Sequence, residues 1–543
     1  MTTIAPYRAP HRAGRDGFWQ LVHAEWTKFR TVRGWVIAVI AAAVLIDALG
    51  LLLVDNGANS CSGTCGANHA PIGPGGEAVV DTFYYVRQPL SGDGSLTVRV
   101  TSLTGEYEPQ GGFAGPNPPP PLERGLMPWS KAGIIITQNT SRGSAYAAMM
   151  VTGQHGVRMQ YNYTGDVAGL PGRVSATSPR WLRLTRSGDT ITGYDSADGR
   201  HWTKVGAVQL AGLPGTVQAG LFTASPGDFQ ANFPSYAQTG GSDWPSVATA
   251  VFDHVSLHGG QPGRTWAGRL IGADGLTYSQ PRVPTRGSRR THAVGPRIGF
   301  RQAGGHFTVT GSGDIAPAVG GGVNTNYATG TVSDHLVAVI FGLIVLTVIG
   351  AMFMTTEYRR GLIRLTLAAS PQRGRVLAAK AVVIGLVSFV LGLAAAAVAV
   401  LAGPAISRSR GVYVLPVGWP TALEVIVGVG ALLAVAAVLA VAVGTILRRS
   451  VVAVATVIAV FVLPYILGET SVVAPGVSEW MFRATPIAAF AVQQSVPAYP
   501  QVIGQYGPPE YFALAPWAGL AVLCGYAAVA LTVASVLLRR RDA

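Results

Sequence analysis

Apolar and polar positions follow two rhythms along this chain of 543 residues. Six stretches are almost uninterruptedly apolar: Gly34 to Val54, Leu336 to Met354, Ala378 to Ala402, Leu423 to Leu447, Val451 to Gly468 and Trp517 to Leu538. An α-helix needs about 20 such residues to cross a bilayer core, so each stretch predicts one transmembrane helix. Between the first and second the pattern changes to short alternating or β-branched runs, among them SLTVRVTSL, AGIIITQ, VRMQYNY, WLRLTRSG, TITGYDS and VQAGLFTAS. Turn signals such as SGD, ADG and PG separate them. That spacing predicts an all-β sandwich over 77–260, with a further β-rich segment over 261–333. PNPPPP at 116–121 is expected on a surface loop, because proline cannot donate to a central ladder. The expected fold class is a multi-pass α-helical membrane protein of six transmembrane helices with an inserted all-β domain.

Charge placement gives the orientation. Basic residues mark cytoplasmic loops. They gather before the first run (Arg8, Arg12, Arg15, Lys28, Arg30, Arg33) and between the second and third (Arg359, Arg360, Arg364, Arg373, Arg375, Lys380). Arg448 and Arg449 part the fourth run from the fifth, and Arg539, Arg540 and Arg541 follow the last. All four groups share one side only if the number of crossings is even. Six crossings put the N-terminal segment 1–33, the connection 355–377 and the tail 539–543 in the cytoplasm, and the insert 55–333 and segment 469–516 outside, in a plasma-membrane protein. The first run is read as an uncleaved anchor, since the core of a signal peptide is only about 7–15 residues. The net charge of +14 comes from these loop clusters rather than from basic and aromatic residues interleaved on a polar domain, which excludes a nucleic-acid partner.

Two cytoplasmic segments carry further pattern. Phe18, Trp19, Leu21, Val22, Trp26 and Phe29 fall on one side of a helix that also holds Glu25 and Lys28, with Gln20, His23, Thr27 and Arg30 opposite. An aromatic face with basic flanks predicts a helix lying in the membrane interface. After the second run, Glu357 to Ala369 suits a short exposed helix. Ser370 would cap the next one and Pro371 would occupy its first turn.

Candidate chemistry is sparse. Lys28, Lys131, Lys204 and Lys380 are the only lysines and none follows a glycine, so the chain lacks a Gly-Lys-Ser/Thr phosphate loop. There is no HExxH pair and no G-x-S-x-G elbow between a strand and a helix. The aspartates at SGD and ADG are explained by turn chemistry. No enzymatic activity, bound cofactor or metal is expected for the chain itself. Cys61 and Cys65 could form a disulfide on an oxidising side or stay as free thiols; with only His69 beside them they do not make a zinc site. Asp47 and Glu424 fall near the outer ends of the first and fourth runs, where they are expected to snorkel.

LVHAEWTKFRTVRGW (21–35), TTEYRRGLIRLTLAASPQRGRVLAAKA (355–381) and FTVTGSGDIAP (307–317) resemble the matching segments of actinobacterial type-2 ABC transporter permeases that carry a large external insert. The resemblance implies one half-transporter of six spans, paired with a second copy or a close paralogue and driven by a separate ATP-binding subunit that holds ATP and magnesium. It places the interfacial helix at Phe18 to Arg33. It assigns docking on the ATPase to Glu357, Tyr358, Arg359, Arg360, Gly361, Ile363, Arg364 and Leu367. It also suggests Trp480 to Gln494 as an element re-entering the outer leaflet. PRWLRLTRSGDTITGYDSADGRHWTKVG (179–206) resembles a concanavalin-like sandwich, implying Trp181, Tyr194 and Trp202 as a possible external ligand site. As residues, Trp181 and Trp202 are expected to fill the sandwich core. The expected function is the permease subunit of an ATP-driven exporter. The alternative is a membrane-anchored glycan- or peptide-binding or sensor protein.

Overall fold

The computed structural model describes residues 17–58, 70–108, 122–231, 241–260, 265–272, 282–284, 291–293, 296–319, 329–363, 366, 372–469, 473, 475–502 and 514–540. Cys61 and Cys65 lie outside them. Six described helices are long and apolar enough to cross a membrane: Arg33–Leu52, Val339–Arg359, Arg373–Ser409, Trp419–Leu447, Ser450–Gly468 and Pro516–Arg540. The third begins at Arg373, so the helix expected after Ser370 and Pro371 runs continuously into the apolar stretch that starts at Ala378.

Helix Trp419–Leu447 is the axis of the bundle. Leu432, Leu433, Ala436, Ala437, Ala440 and Val441 are all fully buried on it. Small residues let its neighbours come close, as they do wherever helix association relies on packing rather than on apolar burial. Gly350 sits over Ala437 and Ala440, Gly392 over Gly430, and Gly444 over Ala351. The segment Trp480 to Gln494 divides into the end of helix Pro475–Ala484 and a 3-10 helix, Pro486–Gln493, that is buried along its whole length.

The β-rich domain is organised on one long strand, Phe83–Tyr107. Thr216–Ala224, Arg180–Ser187, Ser246–Gly260 and Ala267–Ile271 each pair antiparallel with part of it. From the far edge the order runs through Thr203–Gln209, Thr190–Ser196 and Arg180–Ser187 to the long strand, then Thr216–Ala224, Lys131–Thr137 and Tyr146–Thr152. Lys131–Thr137 and Tyr146–Thr152 are buried on both faces, which explains their continuous apolar text. Arg180–Ser187 alternates instead: Leu182, Leu184 and Arg186 are buried, and Trp181, Arg183 and Thr185 are half-exposed. Trp181 therefore does not fill the core, and half-exposed Trp202 does not either. The strand's two-residue period puts its leucines inward and commits Trp181 to the other face.

The two parts are fastened together. Thr329–Gly330 pairs parallel with Tyr413–Val414, and the Tyr413 hydroxyl donates to the Gly76 carbonyl. Ala316 and Val319 form one apolar cluster with Leu415, Val496 and Val502. The Gln501 side chain, fully buried, donates from Nε2 to the Tyr163 carbonyl at 2.9 Å. The loops between the third and fourth long helices and before the sixth thus form a seat for the β-rich domain.

A side chain at Gly392 would place its Cβ 2.8 Å from Gly430 Cα and 3.1 Å from Leu433 Cδ1. Gly392→Val is expected to cost about 1–3 kcal/mol through overpacking. Gly525→Ala, with nothing within 4 Å of the added carbon, should leave thermal unfolding in detergent unchanged. Equal melting temperatures for the two variants would contradict the close crossing.

Candidate functional site

At the basic end of the bundle four charged side chains from three helices meet. Glu25 and Lys28 lie one turn apart on helix Phe18–Thr31, Glu357 in the last turn of Val339–Arg359, and Lys380 in the second turn of Arg373–Leu401. Lys380 is completely buried, and its ammonium donates to Glu25 Oε2 and Glu357 Oε1, each at 2.7 Å. The same nitrogen stands 4.7 Å from the ring centre of Phe353. Lys28 closes the circuit at 2.6 Å from Glu25 Oε1 and 3.1 Å from Glu357 Oε1. Two cations balance two anions. Isolated, each of the three buried charges would carry a desolvation cost of several kcal/mol, so Glu25, Glu357 and Lys380 are viable only together, with half-exposed Lys28 completing the charge balance. Burial pulls the Lys28 ammonium down, but the hydrogen bonds and charges of Glu25 and Glu357 outweigh it and hold Lys28 above its usual range.

Aromatic packing sets the approach. Phe29 and Trp35 both meet Phe353 edge-on, with ring centres 6.3 and 6.1 Å apart. Around this centre the other helix ends are latched. The Arg448 guanidinium lies 5.0 Å over the Tyr358 ring, and Arg373 donates to the Leu538 carbonyl at 2.7 Å. Beyond the latch Arg359, Arg360, Gly361 and Leu362 are exposed. Gly361 has φ +69°, a backbone that glycine adopts without steric penalty and that turns the chain sharply here.

The expected docking residues therefore divide. Glu357 and Tyr358 do not start a separate exposed helix: the preceding helix continues to Arg359, because Glu357 gains two ammonium partners inside the bundle and Tyr358 gains Arg448. Arg359, Arg360 and Gly361 are exposed as expected, and Ile363 is buried. Arg364, Leu367, Ser370 and Pro371 lie outside the described residues. On the N-terminal helix Phe18, Leu21 and Val22 are half-buried and Trp26 is exposed. Phe29 and Glu25 face the bundle, whereas Trp19 is 75% exposed. The ion cluster itself was missed. Its signal was lysine scarcity: in a chain whose cations are nearly all arginine, three of the four lysines, Lys28, Lys131 and Lys380, are those paired with carboxylates. A lysine's compact ammonium can bridge two carboxylates where a planar guanidinium demands more room.

On the outer face of the sheet, Trp181 and Tyr194 lie beside Arg99 and Arg183. Arg99 holds Asp253 through two bonds of 2.7 and 2.6 Å and lies 5.6 Å from the Trp181 ring centre, and Arg183 stacks 3.9 Å above Trp202. The register sets Arg183 opposite Tyr194. These residues form one half-exposed row in which arginines already cover ring faces. Among the described residues no group of three His, Cys, Asp or Glu side chains could hold a metal.

A family model described as ABC-2 family transporter protein matches residues 192–543. The chain belongs to the ABC-2 transporter family. The match takes in Glu357, Lys380 and five of the six long helices, while Glu25 and Lys28 lie before it. This establishes a membrane-embedded transport protein bearing a large β-rich region. No curated protein matches the chain. Among solved structures, a functionally unknown protein from Saccharomyces cerevisiae is similar at 15% identity over 32% of this chain and 71% of that one, TM-score 0.20. Scytalido-glutamic peptidase with a peptide-based transition state analog is similar at 6% identity over 44% of this chain and 100% of that one, TM-score 0.23.

Removing Lys380 leaves two buried carboxylates short of a cation. Lys380→Met is expected to cost about 3–5 kcal/mol, the usual penalty for breaking a buried pair from one side. Glu25→Gln in that background should recover part of the loss. A double-mutant cycle on thermal unfolding in detergent measures this, and strictly additive effects would show that the two charges are not coupled.

Proposed function

We propose that this ABC-2 family member is the permease subunit of an ATP-driven exporter, working with a separate ATP-binding subunit and a second permease, a copy of itself or a paralogue. The observation that carries the proposal is the ion cluster set one turn from an exposed basic corner. The chain carries no phosphate-binding loop of its own, and Arg359, Arg360 and Leu362 offer charge and apolar surface to a partner. We place that corner in the cytoplasm of a six-span plasma-membrane topology because the basic residues gather there, with the β-rich domain outside.

Force applied to the corner acts on the last turn of helix Val339–Arg359. Through Glu357 it reaches Lys380, and so helix Arg373–Leu401, and through Lys28 and Glu25 it reaches the N-terminal helix. A desolvated, mutually bonded cluster resists being pulled apart, so the three helices move as one body. ATP-driven closure of the partner would in this way tilt the spans between inward- and outward-facing states, a rigid-body switch.

Arg359→Ala, Arg360→Ala and Leu362→Ala combined should lower co-purification of the ATP-binding subunit, and ATPase stimulation by this chain, at least tenfold while thermal stability stays unchanged. Retained co-purification and stimulation would refute docking at this corner. Because Glu357 is internal, its loss should instead lower stability along with coupling.

A further inference from the structure

Where the third and sixth long helices meet at the basic end of the bundle, cationic side chains gather without acids to balance them. Arg373, in the first turn of Arg373–Leu401, donates to the Leu538 carbonyl and so clamps that helix to the end of Pro516–Arg540. One residue on, the Arg539 guanidinium reaches over the backbone of Gly374, its Nη2 3.7 Å from where a side chain at that glycine would begin. Arg375, Arg539 and Arg540 are exposed. Among the described residues no carboxylate pairs with any of these three, and the first turn of Arg373–Leu401 holds no acid. Glu25 and Glu357, the carboxylates of the ion cluster, are already taken by Lys28 and Lys380.

Towards the middle of the membrane the same two helices turn apolar faces outward. A helical period of about 3.6 residues puts Arg375 in line with Val382 and Leu386, and Arg540 in line with Val536, Val533 and Val529. All five apolar residues are exposed. Each helix therefore carries a cation at the end of an exposed apolar stripe. A phospholipid presents the matching order of groups, a phosphate at the surface with acyl chains below it. Contact with lipid tails alone needs the stripes but not the arginines. Orientation in the membrane needs basic residues near the span ends, but not their concentration where two helices are clamped together.

We infer that this junction binds an anionic phospholipid of the leaflet on the basic side, with Arg375, Arg539 and Arg540 holding the phosphate and the two stripes taking the acyl chains. A planar guanidinium can meet a phosphate through two parallel N–H···O bonds, and basic pockets between membrane helices are where acidic headgroups are held. Phosphatidylcholine carries the same phosphate, but its own ammonium opposes the arginines; phosphatidylglycerol has no such group. The bound lipid bridges the third helix, which carries Lys380, to the sixth, and reinforces the bond between Arg373 and Leu538. The inference rests on the membrane-embedded reading of the chain, and not on its cargo, its ATP-binding subunit or which side is cytoplasmic.

The test is native mass spectrometry of the full chain in detergent, titrated with phosphatidylglycerol or with phosphatidylcholine of the same acyl chains. It reads lipid binding alone, so its failure would leave the transport reading standing. The unaltered chain should bind phosphatidylglycerol at least tenfold more tightly than phosphatidylcholine, a comparison that needs no variant. Arg375→Gln, Arg539→Gln and Arg540→Gln combined replace only exposed side chains and should abolish that preference while the lipid-free melting temperature stays unchanged. Arg359→Gln with Arg360→Gln, at the neighbouring exposed corner, should keep it. Phosphatidylglycerol should also raise the melting temperature of the unaltered chain by several degrees, and inorganic phosphate at the same concentration should not. Equal affinity for the two lipids, an unchanged preference in a folded triple variant, the same loss in the corner variant, or an equal rise with inorganic phosphate would each overturn the inference.

Discussion

The membrane half of this protein depends on one ammonium group held between two carboxylates. Lys380 has no water to fall back on, so Glu25 and Glu357 must be where they are, and with them the helices that carry them. Apolar packing along helix Trp419–Leu447 could be satisfied in several nearby registers, because alanine, valine and leucine surfaces are forgiving. An ion cluster is not, since a shift of one residue would bury unpaired charge. The cluster therefore acts as the register mark for the N-terminal helix and the second and third long helices, whatever it costs in desolvation.

The same logic recurs in the β-rich domain in a different form. Lys131 and Asp314 are fully buried and paired, tying strand Lys131–Thr137 to the segment that leads back to the membrane. Asp81 is buried with neutral hydrogen-bond donors only, the Tyr163 hydroxyl and the Gly143 N–H. One carboxylate is neutralised by a paired ammonium, and the other is pushed by burial up to about 6, against the hydrogen bonds of Tyr163 and Gly143 and the charge of Arg142.

Much of the architecture was legible because membrane helices and turns follow composition rules that act locally. Six apolar runs, the basic clusters between them, the strand-like text of the insert and the N-terminal amphipathic helix each depend on neighbours within about 20 residues. What was not legible depends on distant pairs. Glu357 read as the start of an exposed helix because no local pattern says that Lys28 and Lys380, 329 and 23 residues away, would meet it. Trp181 read as core because its size says so. Only the strand's register, with Leu182 and Leu184 inward, turns it to the outside. Asp81, Tyr146 and Tyr163 carried no signal, since a carboxylate and two phenols spread over 82 residues become one buried cluster only when strands bring them together.

The ion cluster and the seat of the β-rich domain are joined by the same long helices. The ion cluster joins the helix end that carries the exposed corner at Arg359 to Leu362 to two further helices. The third long helix ends and the fourth begins at the loop whose Tyr413 and Leu415 hold the β-rich domain, and the segment before the sixth carries Gln501, bonded to Tyr163. Each link is a hydrogen bond or a packed contact with no flexible linker among the named residues. A β-rich domain that merely hung from the membrane part would need only its covalent connections. The buried Gln501 contact, made across 338 residues of sequence, is one of the bonds that position the domain with respect to the spans.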